Sequence, residues 1–166
     1  MRIALMFAAA IALSSGAVFA AGKHAGGQDN AHAHNSLMPV GEPGEPGKVS
    51  RNVDVVMRET DDGEMIFGPR TLHVRQGETI RFRIHNRGEV EHEFVLGDHV
   101  SVMEHKALME RMPEMEHDEP NSVRLDPGKR GEIIWKFTND GTFQFACLIP
   151  GHYDSGMKGD LTVAKK

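Results

Sequence analysis

From Asn52 onward the chain is cut into short extended pieces by closely spaced turn signals. Val53, Val55 and Met57 alternate with Asp54, Val56 and Arg58. Further on, Ile80, Phe82 and Ile84 share one face while Arg81, Arg83 and His85 share the other, the alternation of a half-buried strand. Asp61-Asp62-Gly63, Gln76-Gly77-Glu78, Asn86-Arg87-Gly88, Asp126-Pro127-Gly128 and the hairpin-type Asn139-Asp140-Gly141 interrupt the pattern. Between them lie further extended segments: Thr71–Val74 (led into by Ile66-Phe67-Gly68-Pro69), Phe94–Leu96, Asn121–Leu125, Ile133–Phe137, Thr142–Cys147 and Leu161–Ala164. The helical candidate runs from Ser101 to about Met112 and is ended by Pro113. There is no internal repeat. Short strands with regular turns predict an all-β sandwich or barrel, here with one short helical insertion.

The N-terminal part reads differently. Residues 1–20 have the form of a secretory signal peptide, with Arg2 as the positive start, an apolar run from Ile3 to Leu13, and Val18-Phe19-Ala20 before a cut. The run is too short to span a bilayer comfortably. No Cys follows it, which argues against a lipid anchor, and no second long apolar run exists. The mature protein is therefore expected to be exported, soluble and periplasmic. Residues 21–50 are rich in Gly, His, Ala and Pro, with a spacer from Gly41 to Gly47, and are read as a disordered arm. The arm carries His24, His32, His34 and Met38; the His32-x-His34 pair either chelates a metal or is simply solvated. Residues 51–166 are left as a single domain. The chain's net charge of −5 becomes more negative once the leader takes away Arg2, which makes nucleic acid a poor partner.

Cys147 is the only cysteine, and an unpaired thiol in an exported protein calls for a role. It opens the stretch Cys147-Leu148-Ile149-Pro150-Gly151-His152-Tyr153-Asp154-Ser155-Gly156-Met157, spaced C-x4-H-x4-M. Thiolate and thioether are soft donors, and imidazole suits copper as well as zinc. Two His and one Cys in a trigonal arrangement, with a weak axial Met, make the blue-copper electron-transfer geometry. The loop offers three of those four donors, so a second His must come from elsewhere. His92, followed by apolar Phe94, Val95 and Leu96, is the best candidate, with His85 and His99 behind it among the ten histidines. A structural zinc site rarely uses Met.

On these residues the stretch from about Asn52 to Lys165 resembles the cupredoxin family of small copper electron carriers, and within it the plastocyanin-like cupredoxins of bacterial copper tolerance. The resemblance implies a single Greek-key β-sandwich with one mononuclear copper, and its ligands fall on His92, Cys147, His152 and Met157. The C-x4-H spacing looks like that of longer-loop members. Many cupredoxins carry Asn after the first His, tying the two ligand segments together; here that position is Glu93. A binuclear CuA-type centre would need two bridging cysteines, and multicopper oxidases place His beside the Cys, where this chain has Ala146 and Leu148. No enzymatic activity is expected.

A further group, Met103, His105, Met109, Met112, Met115 and His117, lies in and just after the helical candidate. His105, Met109 and Met112 fall at helical spacing on one face, which is either core packing or a soft auxiliary site for copper(I). The expected function is a periplasmic copper protein passing single electrons to a redox partner protein in a copper-tolerance setting. The alternative is a copper-binding or delivery protein with little redox role.

Overall fold

The computed structural model describes residues 38–113 and 119–166. The alternation in Thr79–Asn86 (β5) puts Ile80, Phe82 and Ile84 inside, each at most 1% exposed, and leaves Arg83 in solvent. Its neighbours are Arg51–Glu59 (β2), parallel to it, and Arg130–Lys136 (β8), antiparallel. Glu42–Pro43 (β1) and Met65–Gly68 (β3) complete a five-stranded sheet in the order β1-β8-β5-β2-β3. The second sheet has the order β4-β10-β9-β6-β7 and consists of Thr71–Arg75 (β4), His92–Gly97 (β6), Ser122–Leu125 (β7), Gly141–Ala146 (β9) and Lys158–Ala164 (β10). Each sheet contains one parallel pair, β2–β5 and β4–β10, within otherwise antiparallel ladders. The all-β sandwich read from the sequence is therefore present.

The two inner faces meet in one core. Phe67, Phe82, Phe94, Phe137 and Phe145 form a run of ring contacts across it, with centroids 5.2 to 6.2 Å apart and mostly edge-on, the separation at which aromatic rings attract beyond simple burial. All six residues of β6 are buried. Phe94 and Leu96 face this core, whereas Val95 faces a second, smaller one with Ala146, Leu148, Tyr153, Val102 and Met109. The last two come from the helix His99–Arg111 (α1), which covers the outer side of β6 and β9. Asp98 caps α1, accepting from the amides of Val100 and Ser101 at 2.8 and 3.1 Å, so the helix begins two residues before the expected Ser101. β8 starts earlier than Ile133, and β10 starts at Lys158 instead of Leu161. Residues 66–69, expected only to lead into the next strand, belong largely to β3, which pairs with β2.

The expectation of a disordered arm reaching Ser50 fails from Met38 onward. β1 pairs with β8, and Val40 is 1% exposed. The buried indole of Trp135 donates to Val40 O at 3.2 Å, Asn139 donates to Pro39 O, and the Ser50 amide donates to Thr79 O. Gly41 passes this point with φ +134°, and a Cβ there would lie 2.8 Å from Trp135 Nε1. The apolar content of the segment is too small to signal a core, but one Val beneath a Trp is enough to seat it. Met38 packs against the main core. His24, His32, His34 and the signal-like segment lie outside the described residues.

Removing this segment leaves a buried indole N–H without an acceptor and exposes apolar surface. A chain beginning at Arg51 should be less stable than one beginning at Met38 by about 3 kcal/mol, measured by denaturant unfolding. Equal stabilities would mean that β1 contributes nothing.

Candidate metal centre

Two ladders deliver the donors. The β6–β9 pairing runs from Gly97–Gln144 to Val95–Ala146, and beyond its end the two chains carry His92 and Cys147. The β9–β10 ladder ends at Ala146–Lys158, and the next residues stay joined, the Cys147 amide donating to Met157 O at 3.1 Å. The segment between Cys147 and Met157 is thus a closed loop between paired strands. Its interior is tied by amide bonds from His152 to Ile149 O, Ser155 to Gly151 O, Gly156 to Tyr153 O and Met157 to His152 O, all 3.0 to 3.1 Å. Outside it, Met65 donates to Ser155 O, and the Tyr153 hydroxyl donates to Gln144.

This framework brings His92, Cys147 and His152 together, with one donor atom from each lying within 4.8 Å of the others. His92 Nδ1 is 3.2 Å from His152 Nδ1, which is 3.3 Å from Cys147 Sγ. Cys147 and His92 are fully buried, and His152 is half-buried. Met157 is also fully buried, in the same core cluster as Cys147, and its backbone is bonded to both Cys147 and His152. The alternatives are excluded by position. His85 lies on the outer face of β5, accepting from Arg87, and His99 contacts Gln144.

The electrostatics of the three groups follow from burial. Burial pushes the Cys147 thiol up to about 12, against the pull of the Glu93 and Ile149 amides that donate to its sulfur; the Glu93 contact is 3.3 Å. Two backbone donors therefore reach the sulfur although Pro150 can offer none. Burial also lowers the affinity of His92 for a proton, with Glu59 partly offsetting it, and lowers that of His152, with His92 adding to the effect. Both imidazoles are neutral at neutral pH and can donate a lone pair.

Glu93 occupies the position where the sequence departed from the family pattern. It is 4% exposed, the Leu148 amide donates to its carboxyl, and its own amide donates to Cys147. It thereby joins the two ligand segments. Burial pushes its carboxyl up to about 7, against the attraction of Arg124 and the Leu148 amide.

The roles of two further residues are not legible in the sequence. Asn86, fully buried, donates from Nδ2 to Val90 O and Leu125 O, both at 2.8 Å, and accepts from the Gly88 amide, which fixes the turn that leads into His92. Glu59, at the end of β2, contacts His92 Nε2 at 2.8 Å. Neither has a spacing signal, because each meets its partner only through the sheet. In the Met/His segment, Met109 is core, Met103 is partly buried and Met112 is 44% exposed, so the helical face divides between packing and solvent. Met115 and His117 lie outside the described residues.

A soft thiol with two neutral imidazoles, in a pocket closed by backbone bonds and with no carboxylate among the converging donors, fits copper better than a hard cation. Comparisons with known proteins agree. Residues 54–164 match the family of copper binding proteins described as plastocyanin/azurin. The chain is 45% identical to the copper-resistant cuproprotein CopI of Rubrivivax gelatinosus, over 98% of this chain and 96% of that protein. It is 38% identical to the protein of the same name from Pseudomonas aeruginosa, over 74% of this chain and 81% of that one. Among solved structures, reduced auracyanin from Roseiflexus castenholzii superposes with a TM-score of 0.59 at 22% identity, covering 70% of this chain and 98% of that one, a likeness of fold. The chain belongs to the plastocyanin/azurin family of copper binding proteins, and copper is its cofactor.

Proposed function

We propose that this protein is an exported, periplasmic carrier of single electrons that serves copper tolerance, with one copper held by His92, Cys147, His152 and Met157. The observation that carries the reading is the convergence of one thiol and two imidazoles within 4.8 Å, two of the three on a loop closed between paired strands and the third, His92, at the start of β6. The tolerance setting is supported by similarity to proteins named as copper-resistant cuproproteins.

Copper, when bound, supplies a one-electron couple whose two oxidation states prefer different coordination, so donors held in place reduce the rearrangement that accompanies each transfer. The protein's part is to hold those donors. Cys147 is held by its amide bond to Met157 and by the two amides on its sulfur. His152 is held by the bonds that flank it in the loop, and His92 by Glu59 and the Asn86-tied turn. His152 is the more exposed imidazole, so a redox partner protein would approach over its edge. Nothing in the immediate sequence of Cys147 supplies the adjacent His through which multicopper oxidases reach a second copper centre.

The copper(II) form should show intense visible absorption from the Cys147 thiolate, and Cys147→Ser should abolish it. Survival of the colour would overturn the ligand assignment. Met157→Leu should keep copper but shift the reduction potential, since a thioether would be the weak donor of the four; complete loss of copper would remove Met157 from that role.

Copper uptake at pH 7 should release about one proton per ion, since the Cys147 thiol is protonated far above neutrality and both imidazoles are already deprotonated. Affinity should therefore rise by about tenfold per pH unit between pH 7 and 8, from the thiol alone. Protonation of the imidazoles should weaken binding further only below about pH 6.5, their ordinary value, because burial has lowered both. Proton release by calorimetry in buffers of different ionisation heat measures this.

With a reductant and no partner, the purified protein should not consume oxygen in steady turnover. Reversible electrochemistry with fast self-exchange supports the carrier role, whereas copper transfer to an acceptor protein without electron flow would replace it with delivery.

A further inference from the structure

Glu59 lies 33 residues before His92 in the chain, on the other sheet. Its Oε1 is 2.8 Å from His92 Nε2, while His92 Nδ1 turns toward His152. The carboxylate is held from the other side as well. The Glu89 amide donates to Oε2 at 2.9 Å and the Val90 amide to Oε1 at 3.3 Å. Both oxygens are thus engaged as acceptors by backbone amides, the arrangement of a carboxylate rather than of a protonated acid. Gly88 makes room for it: a Cβ there would stand 2.5 and 2.7 Å from the two carboxylate oxygens.

An ionised carboxylate can only accept hydrogen bonds. The proton of neutral His92 must therefore sit on Nε2, and the lone pair must sit on Nδ1, facing Cys147 and His152. We infer that Glu59 is a positioning residue that selects the His92 tautomer and places a negative charge behind the imidazole, making it a stronger donor toward copper(II) than toward copper(I). The inference rests on His92 being a ligand. A carboxylate behind a metal-bound imidazole raises the basicity of the ligand, and its loss typically costs ten- to a hundredfold in metal affinity.

The charge effect has a sign. Removing a negative charge destabilises the more positive oxidation state more, so Glu59→Gln should weaken copper(II) binding by about ten- to a hundredfold and copper(I) binding by less. The reduction potential should rise, by about 59 mV for each tenfold difference between the two losses. The single amide oxygen of this variant can accept from one of the two loop amides, and a role confined to anchoring the loop gives no reason for copper(II) binding to weaken more than copper(I) binding, so it leaves the potential unmoved. Gly88→Ala, whose Cβ would displace the carboxylate without removing it, should move the potential in the same direction.

The experiment is voltammetry and competitive copper titration of the wild type, E59Q and G88A, with long-range proton–nitrogen NMR of the copper-free wild type. A raised potential in E59Q and an Nε2–H tautomer for His92 are expected. An unchanged potential and copper(II) affinity in E59Q would overturn the inference, and so would an Nδ1–H tautomer in the wild type, which requires no variant to fold. H92A separates the two levels. A wild-type spectrum in H92A removes His92 as a ligand and the whole inference with it, whereas an altered H92A spectrum beside an unmoved E59Q potential removes only the role of Glu59.

Discussion

The bond from the Cys147 amide to Met157 O is the constraint on which the centre depends. It extends the β9–β10 ladder one step past its last strand pair and turns an eleven-residue segment into a loop with both ends fixed. Because β9 is also paired with β6, the same strand that carries Cys147 sets the position of His92. Ring contacts among Phe67, Phe94 and Phe145 hold these strands against the opposite sheet. The donors are therefore placed by the sheet's register and the core behind it, and a one-residue slip of β6 would turn His92 away from the loop.

The arrangement combines a closed side and an open side. Cys147 and His92 lie against packed residues, with α1 and its small core covering the outer surface of the strands that bear them. His152 alone of the three reaches toward solvent. Polar groups within this apolar wall tie segments together: Asn86 satisfies three backbone groups, Glu93 links Cys147 to Leu148 while its Oε2 stays buried without a partner, and Glu59 answers His92. Each is buried or partly buried, and each joins segments that are distant in sequence, which gives the open side a rigid backing.

What could be read beforehand and what could not divide along this line. The alternation in β2 and β5, the hairpin signal before β9 and the C-x4-H-x4-M loop are local patterns, and each appears where it was expected. His92 could be selected because the apolar run of Phe94, Val95 and Leu96 follows it closely. Glu59 and Asn86 could not, since a carboxylate at a strand end and an Asn before a turn are ordinary until the sheets bring them to the ligand segment. The seating of β1 was missed for the same reason: Val40 is a lone apolar residue in a Gly- and Pro-rich stretch, and only the position of Trp135 gives it a partner. The departure at Glu93 was visible, but its consequence was not, because its tie to Leu148 depends on the register between β6 and β9.

The burial of Cys147 has a chemical consequence for the protein before it acquires metal. Oxidants and disulfides attack or are attacked by the thiolate, and a thiol that is inaccessible and holds its proton to about pH 12 reacts slowly with either. The fold thereby shields the chain's one thiol while the molecule is free of copper.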